Sequence, residues 1–251
     1  MSQESALAAL DGERRRFAAA RRSGAPARRP RDAGTLLVVD TSGAVPKLLM
    51  GRRAAGHVFM PGHYVFPGGR VDRSDLSLAK DFSLEAGALD RLTNGSPARF
   101  GARQAVATAL AAIRETYEEV GAMIGRPGSF TGGPGFWSAF AEAEIRPAPE
   151  RLVPLARAIT PPGAPRRFDA RFFAIDASDI DAAMPERPPT DEFDAVEWVA
   201  LDRTGDLHLA AITVRVLEEL GARLADGSWR DPSRPIPFYR VVNGRFTCEY
   251  L

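Results

Sequence analysis

The sequence predicts a mixed α/β sandwich. Short runs of β-branched and aromatic residues, bounded by turn residues, alternate irregularly with helical patterns, which favours helices on a mixed sheet over a doubly wound parallel sheet. The clearest helix covers residues 102–120, where an alanine-rich stretch is followed by Gly121, a residue that favours a helix end. No repeat of fixed period is visible.

The elements are predicted from local patterns in chain order. The predicted strands are residues 35–39, 46–51, 64–66, 168–175 and 193–201, and the predicted helices are residues 102–120, 136–145 and 209–224. Residues 76–101 are weakly patterned and are interpreted as an insertion with one short helix. Residues 226–251 contain Asn243-Gly244 between two β-rich runs, a strong hairpin signal. We expect this hairpin to be an extension that packs on the domain or at a homodimer interface.

The composition limits the kinds of molecule that the protein is expected to bind. The chain has 251 residues, with Lys+Arg 33, Asp+Glu 32 and a net charge of +1. No overall electrostatic field therefore favours binding to nucleic acid or to an anionic membrane. One cysteine excludes an internal disulfide and zinc sites of the CxxC type. Apolar runs are far shorter than the roughly 20 residues that span a bilayer. We expect a soluble, cytoplasmic protein without a membrane partner.

Residues 1–31 are rich in arginine and alanine and show little apolar periodicity after Leu10. This composition predicts a flexible N-terminal tail. The acidic residues Glu4, Asp11 and Glu13 argue against a transit peptide. An alternative is that the arginines bind RNA, which predicts salt-sensitive binding that is lost when residues 1–30 are deleted.

The helix at 102–120 carries acidic residues on one face. At about 100° per residue, an apolar stripe forms on one side and three carboxylates cluster on the opposite side. The stripe consists of Val106, Leu110, Ile113, Tyr117 and Val120, and the carboxylates are Glu115, Glu118 and Glu119.

These carboxylates destabilise their own helix. They lie in its last turns, where the helix dipole disfavours negative charge, and Glu115 and Glu119 form a like-charge i,i+4 pair. Arg114, at i,i+4 to Glu118, is the one compensating cation in this stretch. Converging hard oxygen ligands suit Mg²⁺ or Mn²⁺. An ordinary solvated helix face is the alternative.

Two stretches, "PGGRVDRSD" and "RETYEEVG", together resemble the Nudix box. The matching residues are Gly69, Arg114, Glu115, Glu118, Glu119 and Gly121. Asp75 stands where the family has Glu, and Thr116 occupies a normally apolar place. Asp75 and Arg114 lie 39 positions apart, whereas the family pattern places them eight apart, so 31 residues are inserted between the two halves.

Further stretches resemble one Nudix branch, that of the coenzyme A diphosphatase-like hydrolases of nucleoside-diphosphate-linked moieties. They are "GHVFMPGHYVFPGGRVD", "RRFDARFF" and "RDAGTLLVVD". The resemblance covers residues 32–225 and implies a Nudix-type α/β/α sandwich with a mixed central β-sheet and a carboxylate-bearing helix.

The resemblance also implies roles for these residues. Glu118, Glu119 and the carbonyl of Gly69 would hold Mg²⁺ (Mn²⁺ is an alternative), Glu115 would be a ligand or a base, and Arg114 would orient the carboxylates. The reaction would be hydrolysis of a diphosphate bridge. A further catalytic acid from a later loop is expected at Glu192, with Asp191 and Glu197 as alternatives.

The substrate implied by the resemblance is a small nucleoside diphosphate derivative, either CoA or an acyl-CoA. ADP-ribose, NADH and nucleoside-diphosphate sugars are alternatives, as is a non-catalytic nucleotide-binding regulator. Guanidinium groups match phosphate oxygens, so arginines near the motif are candidate substrate ligands. The candidates are Arg52, Arg53, Arg70, Arg167, Arg171 and also His63. A surface charge is the alternative for each arginine, and a turn residue is the alternative for His63.

Overall fold

A mixed β-sheet runs through the middle of the protein. The computed structural model describes residues 3–20, 29–54, 62–180 and 188–251. The strands in these ranges are β1 (Arg31–Asp40), β2 (Lys47–Arg53), β3 (Tyr64–Val65), β4 (Gly68–Arg70), β5 (Gly125–Pro127), β6 (Ile145–Pro147), β7 (Val153–Ile159), β8 (Phe168–Asp176), β9 (Phe193–Ala200), β10 (Pro237–Val242) and β11 (Arg245–Tyr250). The α-helices are α1 (Gln3–Ala20), α2 (Arg73–Leu78), α3 (Ala86–Thr93), α4 (Ala102–Val120), α5 (Trp137–Glu142) and α6 (Ala211–Ala225).

The described strands of the main sheet follow the order β11-β10-β7-β8-β1-β2-β3, with β4 also paired to β1 and β9 to β2. β5 and β6 form a separate two-stranded sheet. The β1–β8 and β10–β7 pairs are parallel and the remaining pairs are antiparallel. The predicted mixed central sheet is therefore confirmed.

Helices cover both faces of this sheet, and the central strand β1 is apolar on both sides. Leu36 and Val38 point into a core shared with α4, whereas Leu37 and Val39 point into a second core shared with α6. A strand that is buried on both faces reads as a continuous apolar run instead of an alternating one. The result is the α/β/α sandwich that the sequence predicted.

Helix α4 lies very close to β1 at Gly34. A Cβ atom at this position would be 2.2 Å from the carbonyl oxygen of Thr108 and 3.0 Å from the Cβ of Ala112. Glycine on the strand and alanine on the helix therefore allow the backbones to approach. This contact sets the depth at which the acidic end of α4 meets the sheet.

The predicted helices and strands are found near their expected places. The insertion over residues 76–101 holds more helix than expected, since the end of α2, a 3-10 turn (Ala79–Asp81) and α3 all lie within it. The C-terminal hairpin forms at Asn243 and Gly244, which have φ angles of 49° and 78°. It extends the main sheet through β10 and β7. The homodimer stays a prediction.

The prediction of a flexible tail over residues 1–31 is wrong for its first part. Helix α1 packs on the domain, with Leu10 buried in the core beside α6 and Leu7 against the same core. Asp11 accepts a hydrogen bond from the Phe246 amide at 3.2 Å, and Glu13 accepts one from the Ala211 amide at 2.8 Å. Three apolar residues at helical spacing provide the packing stripe, which is too sparse to stand out among the alanines. Residues 21–28 lie outside the described residues.

In the described ranges, no helix is both long enough and apolar enough to cross a membrane.

Candidate active site

The acidic end of α4 is largely buried. The side chain of Glu119 is 2% exposed, and those of Glu115 and Glu118 are partly buried. The helix ends at Gly121, whose φ of 78° gives the left-handed conformation that terminates many helices. The carboxylates therefore face the protein interior, and the solvated helix face is excluded.

Strand β4 brings two glycines against these carboxylates. The amide of Gly68 donates a hydrogen bond to Oε2 of Glu119 at 2.9 Å. A Cβ atom on Gly69 would be 2.4 Å from the carboxyl carbon of Glu115. Any side chain at Gly69 would displace Glu115, so the close approach of backbone and carboxylate requires glycine here.

Arg114 links the helix to the turn after β4. Its guanidinium donates to both carboxylate oxygens of Asp75 at 3.0 Å and to the carbonyl of Arg70 at 3.0 Å. The same group donates to Glu115 at 2.9 Å and to Glu118 at 2.6 Å. One guanidinium thus positions two of the three helix carboxylates.

Asp75 is fully buried, and its oxygens are occupied. Besides the two bonds from Arg114, Oδ1 accepts from the Trp137 indole at 3.1 Å and Oδ2 accepts from the Asp72 amide at 2.8 Å. Each carboxylate oxygen therefore has two donors, which is what its lone pairs accommodate. Asp75 positions Arg114 and has no lone pair directed at a metal.

A later segment carries a fourth carboxylate to this place. The amide and hydroxyl of Thr190 donate to the carbonyl of Glu118 at 3.1 and 2.9 Å. Glu192 follows and lies 3.4 Å from the Arg53 guanidinium, on the wall of the cavity that Glu115 and Glu119 also line. Of the two alternatives, Asp191 is exposed and Glu197 is exposed and accepts from the Tyr64 hydroxyl at 3.2 Å.

Burial makes these carboxylates hard to ionise. It raises the pKa of Glu115 to about 7, while the neighbouring Arg114 opposes this shift. Burial also raises the pKa of Glu119 well above its ordinary value, and the charges of Glu192 and Glu115 add to the effect. The pKa of Glu118 is raised by burial as well, against the Arg114 hydrogen bond. If all were ionised, Asp75 and the four glutamates of this site would carry more negative charge than Arg114 and Arg53 neutralise, so protonation relieves the excess.

The donor set suits a divalent cation. Partly desolvated carboxylates and a glycine backbone are the hard oxygen ligands that Mg²⁺ and Mn²⁺ prefer. In the described residues, no three acidic, histidine or cysteine side chains already converge as a ready-made metal group. Glu115 and Glu118 instead pair with Arg114. The residues fit the ion by their chemistry, because a bound cation favours the ionised form of carboxylates.

A cavity of about 420 Å³ extends from the carboxylates along the sheet face that carries α1 and α6. Part of its wall is polar and includes Glu13, Arg53, Glu115, Glu119, Arg166 and Glu192. The rest is apolar and includes Leu10, Phe17, Phe66, Phe172 and Phe246. The sequence did not reveal the contribution of α1, although the spacing of Leu7, Leu10 and Phe17 is helical.

A known structure shares this architecture. The crystal structure of a Nudix hydrolase from Alicyclobacillus acidocaldarius is 30% identical, and the match covers 77% of this chain and 92% of that chain with a TM-score of 0.59. The chain belongs to the Nudix hydrolase family. An acyl-coenzyme A diphosphatase of Xenopus laevis, NUDT19, is 36% identical over 101 residues, which are 34% of this chain and 27% of that relative. No protein-family profile matches the chain.

In this Nudix hydrolase, the predicted substrate residues are found in different places. Arg53 and Arg70 line the cavity, and Arg167 lines a neighbouring recess. Arg52 instead forms an exposed ion pair with Asp194 at 2.8 Å. His63 stacks on His208 with 3.8 Å between the ring centres. Residues 55–61 of the stretch before the glycines lie outside the described residues.

The prediction that Arg171 binds substrate is wrong. Its side chain is fully buried, with the guanidinium 3.4 Å above the ring of Phe100. It donates to the hydroxyl of Ser96 at 3.0 Å and lies 3.5 Å from both Asp32 and Asp169. Arg171 therefore attaches the end of the insertion to β8. Successive side chains on a strand alternate between faces, and its place on β8 directs Arg171 away from the cavity.

We expect Asp75→Ala to lower the free energy of unfolding by roughly 3–5 kcal/mol, because it leaves Arg114 buried without its main partner. Urea unfolding followed by circular dichroism measures this loss. Asp194→Ala, which breaks an exposed pair, is the matched control and should cost less than about 1 kcal/mol. Equal effects of the two substitutions would contradict the structural role of Asp75.

The raised carboxyl pKa values predict how metal-free stability depends on pH. A folded-state pKa near 7 for Glu115, above its ordinary value of 4.5, gives stability that is complete below 4.5 and is lost as the pH rises through 7. Glu119 acts in the same direction. The melting temperature in EDTA should therefore fall between pH 5 and pH 8, and the decline should be shallower in Glu119→Gln. Mg²⁺ at pH 8 should restore stability, since it binds the ionised form. A flat or rising melting temperature in EDTA is the opposing result.

Proposed function

We propose that the protein is a divalent-metal-dependent pyrophosphohydrolase that cleaves the diphosphate bridge of CoA or an acyl-CoA. The observation that carries this proposal is the continuity of the carboxylate cluster with an apolar cavity. The likeness to the Xenopus acyl-coenzyme A diphosphatase supports it, although the match spans about a quarter of that protein.

Glu115, Glu118, Glu119 and the carbonyl of Gly69 would hold Mg²⁺, with Mn²⁺ as the alternative. When bound, the ion neutralises phosphate charge and lowers the pKa of a water molecule. Arg114 keeps Glu115 and Glu118 oriented through its hydrogen bonds. Arg53 and Arg70 line the same cavity and can donate hydrogen bonds to phosphate oxygens.

Proton transfer falls to the carboxylates of the cluster. Glu192 lies on the cavity wall and is not among the residues that would hold the ion, so it is the first candidate base. Glu115 is the alternative base if it does not bind the ion. Water attacks one phosphorus atom, the bridging P–O bond breaks, the carboxylate takes the water proton, and the bridging oxygen leaves with the second phosphate. With CoA the products are 3′,5′-ADP and 4′-phosphopantetheine.

The apolar part of the cavity wall favours CoA over more polar alternatives. Its aromatic and aliphatic side chains suit a pantetheine or acyl chain, whose burial stabilises the complex by about 25 cal/mol per Å². The second ribose of ADP-ribose or the sugar of a nucleoside-diphosphate sugar would place hydroxyl groups against these phenylalanines, which is costly for each hydroxyl that no polar wall residue reaches.

A product-resolved assay tests the proposal. CoA, acyl-CoAs, ADP-ribose, NADH and nucleoside-diphosphate sugars are incubated with the protein and Mg²⁺ or Mn²⁺, and the products are separated by chromatography. We expect 3′,5′-ADP together with phosphopantetheine or its acyl derivative. Turnover of ADP-ribose or NADH to AMP, with CoA left intact, would overturn the CoA assignment. No metal-dependent turnover of any substrate would favour a non-catalytic binding protein.

Substitution of Glu192 tests its assignment as a catalytic residue. We expect Glu192→Gln to lower kcat by roughly 100-fold or more, as general-base losses typically do, with an unchanged melting temperature. Glu197→Gln is the matched control, and its kcat should equal that of the wild type. An unaffected Glu192→Gln together with an impaired Glu197→Gln would reverse the assignment.

A further inference from the structure

A second recess beside the cavity is lined mainly by arginines. Its volume is about 730 Å³, and none of the described residues that line it is acidic. The lining residues are Arg29, Pro30, Arg31, Arg70, Arg166, Arg167 and Phe168. Five guanidinium groups around one recess, in a chain whose net charge is +1, are a strong local concentration of positive charge.

The sheet brings these arginines together. β1 and β8 run in parallel, with Arg31 paired to Phe168, and the Arg31 amide donates to the Arg167 carbonyl at 3.0 Å. Arg167 is partly buried, and its Nε donates to the carbonyl of Thr160 at 3.0 Å. Arg70 has an acidic neighbour, Asp72, at 3.1 Å, but both side chains are well exposed, so this pair is weak. The recess therefore holds an excess of cationic donors on a rigid base.

The recess adjoins the candidate active site. Arg70, Arg166 and Phe168 line both the recess and the cavity. Arg70 directly follows Gly69, which lies against the carboxylate of Glu115. A ligand whose diphosphate lies at the carboxylates could therefore place another anionic group among the arginines without leaving the surface.

We propose that this arginine recess binds the 3′-phosphate of the adenosine moiety of CoA. The inference rests on the proposed function and deepens it. CoA carries its 3′-phosphate on the same ribose as its diphosphate, so the two anionic sites must be adjacent, as they are here. ADP-ribose, NADH and nucleoside-diphosphate sugars lack this group. Guanidinium groups bind phosphate oxygens through paired hydrogen bonds, and several together suit a dianion.

A binding experiment tests the recess independently of turnover. Isothermal titration calorimetry of the full chain without divalent metal compares 3′,5′-ADP, 5′-ADP and 5′-AMP. The first two carry two phosphates each but differ in where the second one is attached. We expect 3′,5′-ADP to bind most tightly and its affinity to weaken as salt rises. Equal binding of 3′,5′-ADP and 5′-ADP would overturn the proposal, since it would show a site for phosphate charge in general.

Substitution of Arg29 and Arg31 tests the residues, because these two line the recess but not the cavity. Each Arg→Gln exchange should weaken 3′,5′-ADP binding by roughly fivefold, the upper end for an exposed ion pair. In the variant that carries both exchanges, KM for CoA should rise by the product of the two single-variant factors. KM for 3′-dephospho-CoA should stay at the wild-type value, and so should kcat for either substrate. Arg245→Gln, an exposed arginine at the start of β11, is the matched control and should change neither substrate.

The two proposals fail in different ways. Equal KM values for CoA and 3′-dephospho-CoA in the wild type, with 3′,5′-ADP bound no more tightly than 5′-ADP, would overturn the recess and leave the hydrolase intact. Absence of CoA hydrolysis would overturn the proposed function. Tight 3′,5′-ADP binding that the double variant loses would then still support the recess as a 3′-phosphate site.

Discussion

The ion pair between Arg114 and Asp75 is the interaction on which the site depends. It is buried, uses both oxygens of Asp75, and joins residues that lie 39 positions apart. Because the same guanidinium also reaches Glu115 and Glu118, the pair that closes the insertion also sets the direction of two helix carboxylates. A buried charge that loses its partner is strongly destabilising, so such a pair tolerates little change. The insertion can therefore be long, provided that its two ends meet at this ion pair.

The second constraint is the close approach of backbones. Gly34 lets α4 lie against β1, and Gly69 lets β4 lie against Glu115. The second contact buries Glu115 beside β4, and burial raises the pKa values of Glu115 and Glu119. Ionising such a cluster costs stability, and a bound cation offsets that cost. The electrostatics of the cluster and its chemistry are two aspects of one arrangement.

The carboxylate cluster has chemically different surroundings on its two sides. An apolar cavity closed in part by α1 lies on one side, and an arginine-lined recess adjoins it at Arg70 and Arg166. Under the proposed function, the three parts would take the three chemical parts of CoA, which are an apolar chain, a diphosphate and a 3′-phosphate. The division follows from the sheet, because β1 and β8 contribute both to the cavity wall and to the base of the recess.

The sequence by itself determined the mixed sandwich, the acidic helix and the spacing of the Nudix residues, because these depend on local periodicity and on a few residue types. It also predicted Glu192, although Asp191 and Glu197 stayed open. Only the tertiary structure shows that Glu192 lines the cavity while Asp191 and Glu197 are exposed, because these positions depend on the Thr190 bonds to the end of α4. The catalytic role of Glu192 stays a prediction. The role of Asp75, the burial of Arg171 and the packing of α1 were likewise decided by contacts between distant segments. Such contacts leave no periodic trace in the chain, and so local patterns do not predict them.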